Sequence, residues 1–185
     1  MNGRIEVITG SMYCGKSEEL VRRLRRATIA RKKVVGIKHS SDDRYHQTHI
    51  GCHTGVTFEA TPLKTVEEIA LYLDRNIDVV GIDEGQFFEP GLAELCEGLA
   101  NRGVRVIVAG LDQDSSGKPF GPIPSLMAVA EEVTKLHAVC VVCGEEASRS
   151  YHKGHKAHQV EVGASQYEAR CRKCWGMGTD VPTKG

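Results

Sequence analysis

Four short runs rich in Val and Ile, at residues 4–9, 34–38, 79–82 and 104–109, punctuate the first 139 positions and predict buried β-strands. Between them apolar residues recur at helical spacing. In the segment 17–31, Leu20, Leu24, Ala27 and Thr28 share one face. Segments 66–74 and 91–101 repeat that arrangement, the latter with Pro90 before it and Gly103 after it as start and stop signals. Strands that alternate with helices imply βαβ units, hence an α/β fold with a mostly parallel sheet covered on both faces. The character changes near residue 140. Aliphatic residues thin out, two cysteine pairs appear, and residues 149–158 carry His152, His155 and His158. The expected organisation is a core over 1–139, a cysteine-bearing unit over 140–178 and a flexible tail over 179–185.

Composition narrows the field. With 185 residues, 41% hydrophobic and 26% charged, the chain has the make-up of a globular protein, which excludes disorder and fibrous structure. Its 24 Lys+Arg balance 24 Asp+Glu, which argues against a protein that grips nucleic acid through a strongly basic surface. No apolar run approaches the roughly 18–20 residues that span a bilayer. The N-terminus enters strand-like sequence at once, without signal-peptide anatomy. A cytoplasmic protein is expected, with its seven cysteines as thiols or metal ligands.

The segment Gly10-Ser11-Met12-Tyr13-Cys14-Gly15-Lys16-Ser17 fits G-x-x-x-x-G-K-[ST] between a predicted strand and a predicted helix. Glycines let such a turn wrap closely, so that backbone N–H groups face phosphate oxygens. Lys16 adds a point charge for the β- and γ-phosphates, and the Ser17 hydroxyl is a ligand for Mg²⁺. The alternative, an ordinary Gly-rich strand-to-helix turn, leaves Lys16-Ser17 unexplained. A second nucleotide element should be an apolar strand ending in an acid, and Val79-Val-Gly-Ile-Asp83-Glu84 answers to that description. Asp83 is then the Mg²⁺ partner and Glu84 a second acid available as a base; the plain alternative is that one of them caps the helix after Pro90.

Arg22, Arg23, Arg25, Arg26, Arg31, Lys32 and Lys33 crowd the first predicted helix and its exit. With Glu18 and Glu19 at its start, the run reads as a solvated or subunit-contact face that follows the helix dipole, rather than as a nucleic-acid stripe. Cys140-Val-Val-Cys143 and Cys171-Arg-Lys-Cys174 form two C-x2-C pairs with 27 residues between them. Four soft donors on two tight turns suit Zn²⁺ in a closed, structural site; the alternative is four buried or redox thiols. The three histidines lack a carboxylate placed beside them, and are expected on a solvated mobile loop. Cys96 has the spacing of a helix core residue, whereas Cys14 lies within the phosphate loop, where its oxidation would obstruct ATP.

A magnesium nucleotide core with a C-terminal zinc knuckle is too short for a helicase- or recombinase-type ATPase. Adenylate kinases with zinc lids carry the cysteines mid-chain. A small-molecule kinase fits best, because a knuckle-anchored loop can close over a modest acceptor. Several segments carry a likeness over nearly the whole chain: the Met12-containing phosphate loop, Asp42-Asp-Arg44-Tyr45, Asp83-Glu-Gly-Gln-Phe-Phe88, Ala109-Gly-Leu-Asp112, Lys118-Pro-Phe-Gly121, and both cysteine pairs with Tyr167-Glu-Ala-Arg-Cys171. In these the chain resembles the type II (cellular-type) thymidine kinases.

That resemblance implies an α/β P-loop, parallel-sheet nucleotide-binding core with a small C-terminal zinc-binding domain. It implies transfer of the ATP γ-phosphoryl group to the 5′-hydroxyl of thymidine. Catalytic roles fall to Glu84, Lys16 and Arg44, and ATP with Mg²⁺ to residues 10–17 together with Asp83, Glu84, Gly85 and Gln86. Met12, Phe87, Leu111 and Phe120 match positions that wall the base pocket. Val160, Glu161, Val162, Gly163 and Tyr167 match the family's closing loop. A homotetramer inhibited by thymidine triphosphate is also implied. One departure stands out: after Asp112 the family usually carries an aromatic and then a basic or amide residue, where this chain has Ser115-Ser116.

Overall fold

The structure, a computed structural model, describes residues 3–41, 48–51, 57–154 and 166–178. It begins with β1 (Arg4–Gly10), the phosphate-loop turn and α1 (Lys16–Ile29), followed by β2 (Val34–His39). A small antiparallel pair, β3 (His49–Gly51) and β4 (Thr57–Glu59), leads to β5 (Thr61–Leu63) and α2 (Val66–Tyr72). Next come β6 (Val79–Asp83), a 3₁₀ turn (Gly85–Phe87), α3 (Leu92–Asn101) and β7 (Arg105–Gly110), then α4 (Ile123–Val129) and β8 (Glu132–Leu136). Last are two antiparallel ribbons, β9 (Ala138–Val139) with β10 (Glu146–Ala147) and β11 (Arg149–His152) with β12 (Tyr167–Arg170), and α5 (Arg172–Gly176).

Six strands form one parallel sheet in the order β5-β2-β6-β7-β1-β8. Its four inner strands are the four that the sequence predicts; the two edges are not. Successive strand residues alternate between the sheet's faces, and the apolar ones feed two cores. Ile5, Val7, Ile37, Val80, Ile82, Val106 and Val108 pack with Ile69 of α2, Leu92, Cys96 and Leu99 of α3, and Ile123 and Leu126 of α4. On the other face Ile8, Val79, Ile107 and Ala109 pack with Leu20, Val21, Leu24 and Ala27 of α1. Val21, not the exposed Thr28, completes the buried stripe of that helix.

Each helix has a local reason to start. Thr65 accepts from the Glu68 N–H, and Glu68 reaches back to the Thr65 N–H, a reciprocal cap on α2. By contrast no side chain caps α1, whose N-cap is Gly15 in the left-handed region, φ 85°. The N–H groups of its first turn therefore look into the phosphate loop.

Arg23 departs from the solvated face expected of the basic run. It is 8% exposed and its guanidinium meets Glu6 at 2.7 Å, Glu19 at 2.8 Å and Glu132 at 3.0 Å. The cause is Glu6, a polar residue on the α1-facing side of β1 with no exposure, also held by Arg4 and Arg105. A carboxylate so deep needs cations, and α1 supplies one.

Candidate functional site

The phosphate loop is set by backbone geometry before any side chain acts. Gly10 has φ 136°, and a Cβ there would stand 2.1 Å from the Leu136 carbonyl oxygen, so strand β8 closes against the loop only because position 10 is glycine. Tyr13 takes a left-handed φ of 65°. Lys16 Nζ donates to the Ser11 carbonyl at 2.7 Å, and Ser17 Oγ donates to Asp83 Oδ1 at 3.2 Å. The predicted union of Ser17 with the acid at the end of β6 is thus present as a direct contact.

Asp83 and Glu84 are 4% and 8% exposed. Glu84 turns the chain out of β6 with φ 55°, a left-handed conformation costly for a non-glycine residue and typical of functional sites. The following 3₁₀ turn places Gln86, 2% exposed, with Nε2 donating to Glu84 Oε2 at 2.5 Å and Oε1 accepting the Leu111 N–H at 3.0 Å. Gly121, φ 52°, lies so close that a Cβ would approach the Gln86 carbonyl oxygen to 2.2 Å. The loop after β7 is therefore pressed onto the acid-bearing turn.

Beside this turn lies an aromatic group. Phe87 and Phe120 meet edge to face with centroids 5.9 Å apart, and His39 stands 5.7 Å from Phe87 and 4.7 Å from Phe88. Burial holds the His39 imidazole below its ordinary 6.5, against the opposing pull of a main-chain hydrogen bond at Lys64 and of Glu89 and Glu84. Leu111 is tied to the same turn through its N–H. Met12 is half-buried in the phosphate loop and its N–H donates to Ser150 Oγ at 3.0 Å. Tyr167 on β12 carries its ring against His152, centroids 5.0 Å apart, while its carbonyl accepts from Tyr13 Oη at 3.3 Å.

The Cys-bearing region clasps both halves of this site. Ser11 Oγ donates to the Ala147 carbonyl at 3.2 Å, alongside the Met12–Ser150 and Tyr13–Tyr167 contacts. Toward the loop after β7, Trp175 Nε1 donates to the Ser115 carbonyl at 3.2 Å. Arg149 packs over the Trp175 ring at 5.3 Å and bonds Gln113 at 2.5 Å. Asp114, within that loop, accepts from the N–H groups of Ser116 and Lys118 and shapes the turn. The Trp175 ring of α5 thus lies against the main chain of this loop at Ser115.

Of the residues singled out in the sequence, Arg44, Asp42 and Tyr45, residues 160–163, Cys52, His155 and His158 and the tail 179–185 lie outside the described residues. His152, expected on a mobile loop, belongs to β11. Cys96 is a core residue, its thiol pushed up to about 12 by burial. Ser150, Trp175 and Arg149 acquire their places through contacts distant in sequence, and no local motif announces them.

The four cysteines of the two C-x2-C pairs come together. The sulfurs of Cys140, Cys143, Cys171 and Cys174 lie within 4.8 Å of one another, with Cys143 and Cys171 at 3.7 Å. Metal–sulfur bonds of about 2.3 Å in a tetrahedron imply sulfur separations of about 3.8 Å, so the donor set fits a metal such as zinc. Burial opposes ionisation of Cys140, but N–H groups of Cys171, Cys143 and Val142 outweigh it and bring this thiol down to about 6. Burial and the neighbouring sulfurs push Cys174 up to about 12. Four sulfurs this close ionise together only around a cation.

The chain is similar to known proteins. Residues 3–175 match the family model described as thymidine kinase. Proteins named thymidine kinase are similar over nearly the full length. One from Bdellovibrio bacteriovorus is 52% identical, covering 98% of this chain and 89% of that protein. One from Bacteroides fragilis is 50% identical over 94% of this chain and 87% of its own. One from Rhodothermus is 52% identical over 94% and 81%. With a lysine-bearing turn bonded to an acid-ended strand, an aromatic group beside them and a four-sulfur knuckle clasping both, the chain belongs to the thymidine kinase family.

Proposed function

We propose that the protein transfers the γ-phosphoryl group of ATP to the 5′-hydroxyl of thymidine, giving thymidine monophosphate and ADP. The observation that carries this reading is the Ser17–Asp83 contact at 3.2 Å, which joins the phosphate loop to the acid-ended strand that leads into Glu84. In this scheme residues 10–17 cradle the phosphates, with Asp83, Glu84, Gly85 and Gln86 at the same edge. Magnesium, when bound, neutralises charge on the phosphates; Ser17 and Asp83 are the hard oxygen donors that would hold it. The Glu84 carboxylate accepts the 5′-hydroxyl proton as the new O–P bond forms, and the β–γ bridging oxygen departs with ADP. Lys16 stabilises charge on the phosphoryl oxygens. For a loose transition state this positioning matters more than proton removal. Arg44 is assigned to the same charge on the strength of its motif alone.

The nucleoside is read into the pocket beside Phe87 and Phe120, with Met12, Leu111, Tyr167 and residues 160–163 completing its walls. The four cysteines would hold zinc with no open position, a structural role that fixes the closing unit, 140–178, to the kinase core, 1–139. The family likeness also supports a cytoplasmic homotetramer inhibited by thymidine triphosphate. The test is a panel of acceptors with Mg·ATP: thymidine, deoxyuridine, deoxycytidine and deoxyguanosine, assayed for 5′-monophosphate. Thymidine is expected to be the best acceptor. Deoxycytidine exceeding it would replace this reading with another deoxynucleoside kinase, and no product from any nucleoside would end it.

A further inference from the structure

Gln86 is the most confined polar side chain at the acid-bearing turn, and its amide has only one usable orientation. The Leu111 main-chain N–H is a donor and nothing else, so the amide oxygen must face it, at 3.0 Å. The Nε2 group is then committed to Glu84 Oε2, at 2.5 Å, where a carboxylate is the matching acceptor. No slack surrounds this arrangement. A Cβ at Gly110 would stand 2.9 Å from Gln86 Oε1, and one at Gly121 2.2 Å from the Gln86 carbonyl oxygen. Glu84 itself sits on a left-handed backbone, φ 55°, that local propensity does not favour.

We propose that Gln86 is a positioning residue for Glu84: its amide holds Oε2, fixes the carboxylate rotamer, and so aims the carboxylate at the acceptor hydroxyl. The same amide ties the carboxylate to the backbone of Leu111, so the base and one wall of the nucleoside pocket move as a unit. This deepens the kinase reading and rests on it.

Gln86→Glu separates the two ends of the clamp. It keeps an acceptor for the Leu111 N–H and replaces the donor facing Glu84 with a second carboxylate. The two acids then either share a proton, which disables the base, or repel, which displaces it. The expected result is a fall in kcat of about 10–100-fold, with KM for ATP and for thymidine within about threefold of wild type. Independently, one Nε2 proton of Gln86 should lie downfield in ¹⁵N–¹H spectra of the wild-type protein, and that displacement should vanish in Glu84→Ala. This needs no folded Gln86 variant. A Gln86→Glu enzyme with kcat within threefold of wild type would confine the residue to the Leu111 end. A defect in KM for ATP with kcat retained would make it a nucleotide contact. A Gln86 amide signal indifferent to Glu84→Ala would remove the bond itself. Any of the three overturns the proposal. If wild type phosphorylates no nucleoside, the kinase reading fails, whereas the amide spectrum still decides the clamp.

Discussion

Glu84 concentrates several costs in one residue: a left-handed backbone, burial to 8% exposure and a carboxylate held by a buried amide. Such costs persist where a group's position matters more than its comfort. Glu84→Gln keeps the shape and loses the base, so kcat should fall by about 10²–10⁴-fold. ATP affinity, measured by titration calorimetry, should stay within threefold; an unchanged kcat would dismiss Glu84 as the base. Asp83 and Glu84 were readable from sequence because an apolar strand ending in acids is a local pattern. Ser150 and Trp175 were not, because their partners lie 60 or more residues away, and the motif that displays Gln86 gives no sign of its bond to Leu111, 25 residues on. The ion-pair cluster on α1 gives a second prediction. Hydrogen bonds from Arg22, and from Arg23 against the opposing effect of burial, draw Glu19 from its ordinary 4.5 down to about 2. A lowered carboxyl stabilises the fold above about pH 4.5 and loses that contribution as pH falls toward about 2. The difference in unfolding free energy between wild type and Glu19→Gln should therefore shrink across that window. A difference that stays constant would show that the ion pair contributes nothing.

Strands β1, β2, β6 and β7 are legible because each lies inside the sheet, covered on both faces, and is mostly apolar. The edges escaped for the opposite reason. β8 reads Glu-Val-Thr-Lys-Leu and is largely exposed, and β5 is three residues with Pro62 at its centre, tolerable where only one side pairs. Helix α4 is seven residues that include Pro124, too short and too broken for periodicity to declare it. The clasp between α5 and the loop after β7 was likewise invisible, although the absence of a ring at Ser115 was noticed. Trp175 bonds the Ser115 carbonyl at 3.2 Å, within the loop that runs from Leu111 to Phe120, the two residues proposed to wall the nucleoside. Trp175→Ala should raise KM for thymidine about 3–10-fold, the worth of one such hydrogen bond, and leave KM for ATP unchanged. Equal increases for both substrates would show that the helix supports the whole site rather than this loop.

The cysteine-bearing unit touches the phosphate loop three times, through Ser11, Met12 and Tyr13, and the loop after β7 through Trp175 and Arg149. It is therefore bonded to two loops of the core rather than hanging from it as an appendage. Cys171→Ser breaks the sulfur cluster at its root, next to α5 and β12. Metal content should fall below one per chain, and KM for thymidine should rise about tenfold with a smaller rise, about two- to threefold, for ATP. A Cys171→Ser protein with unaltered kinetics would reduce the knuckle to a stabilising ornament.

Strand order has a further consequence for how the protein is made. Among the described strands β1 comes earliest, yet it lies between β7 and β8, so its partners in both ladders emerge from the ribosome more than a hundred positions after it. Until residue 136 is available, β1 has one edge unpaired, and Gly10 lacks the Leu136 carbonyl against which its turn is packed. The nascent chain thus carries its phosphate loop through the synthesis of the residues up to 136 without the frame that shapes it, an interval in which a chaperone holding an exposed apolar strand has the most to offer.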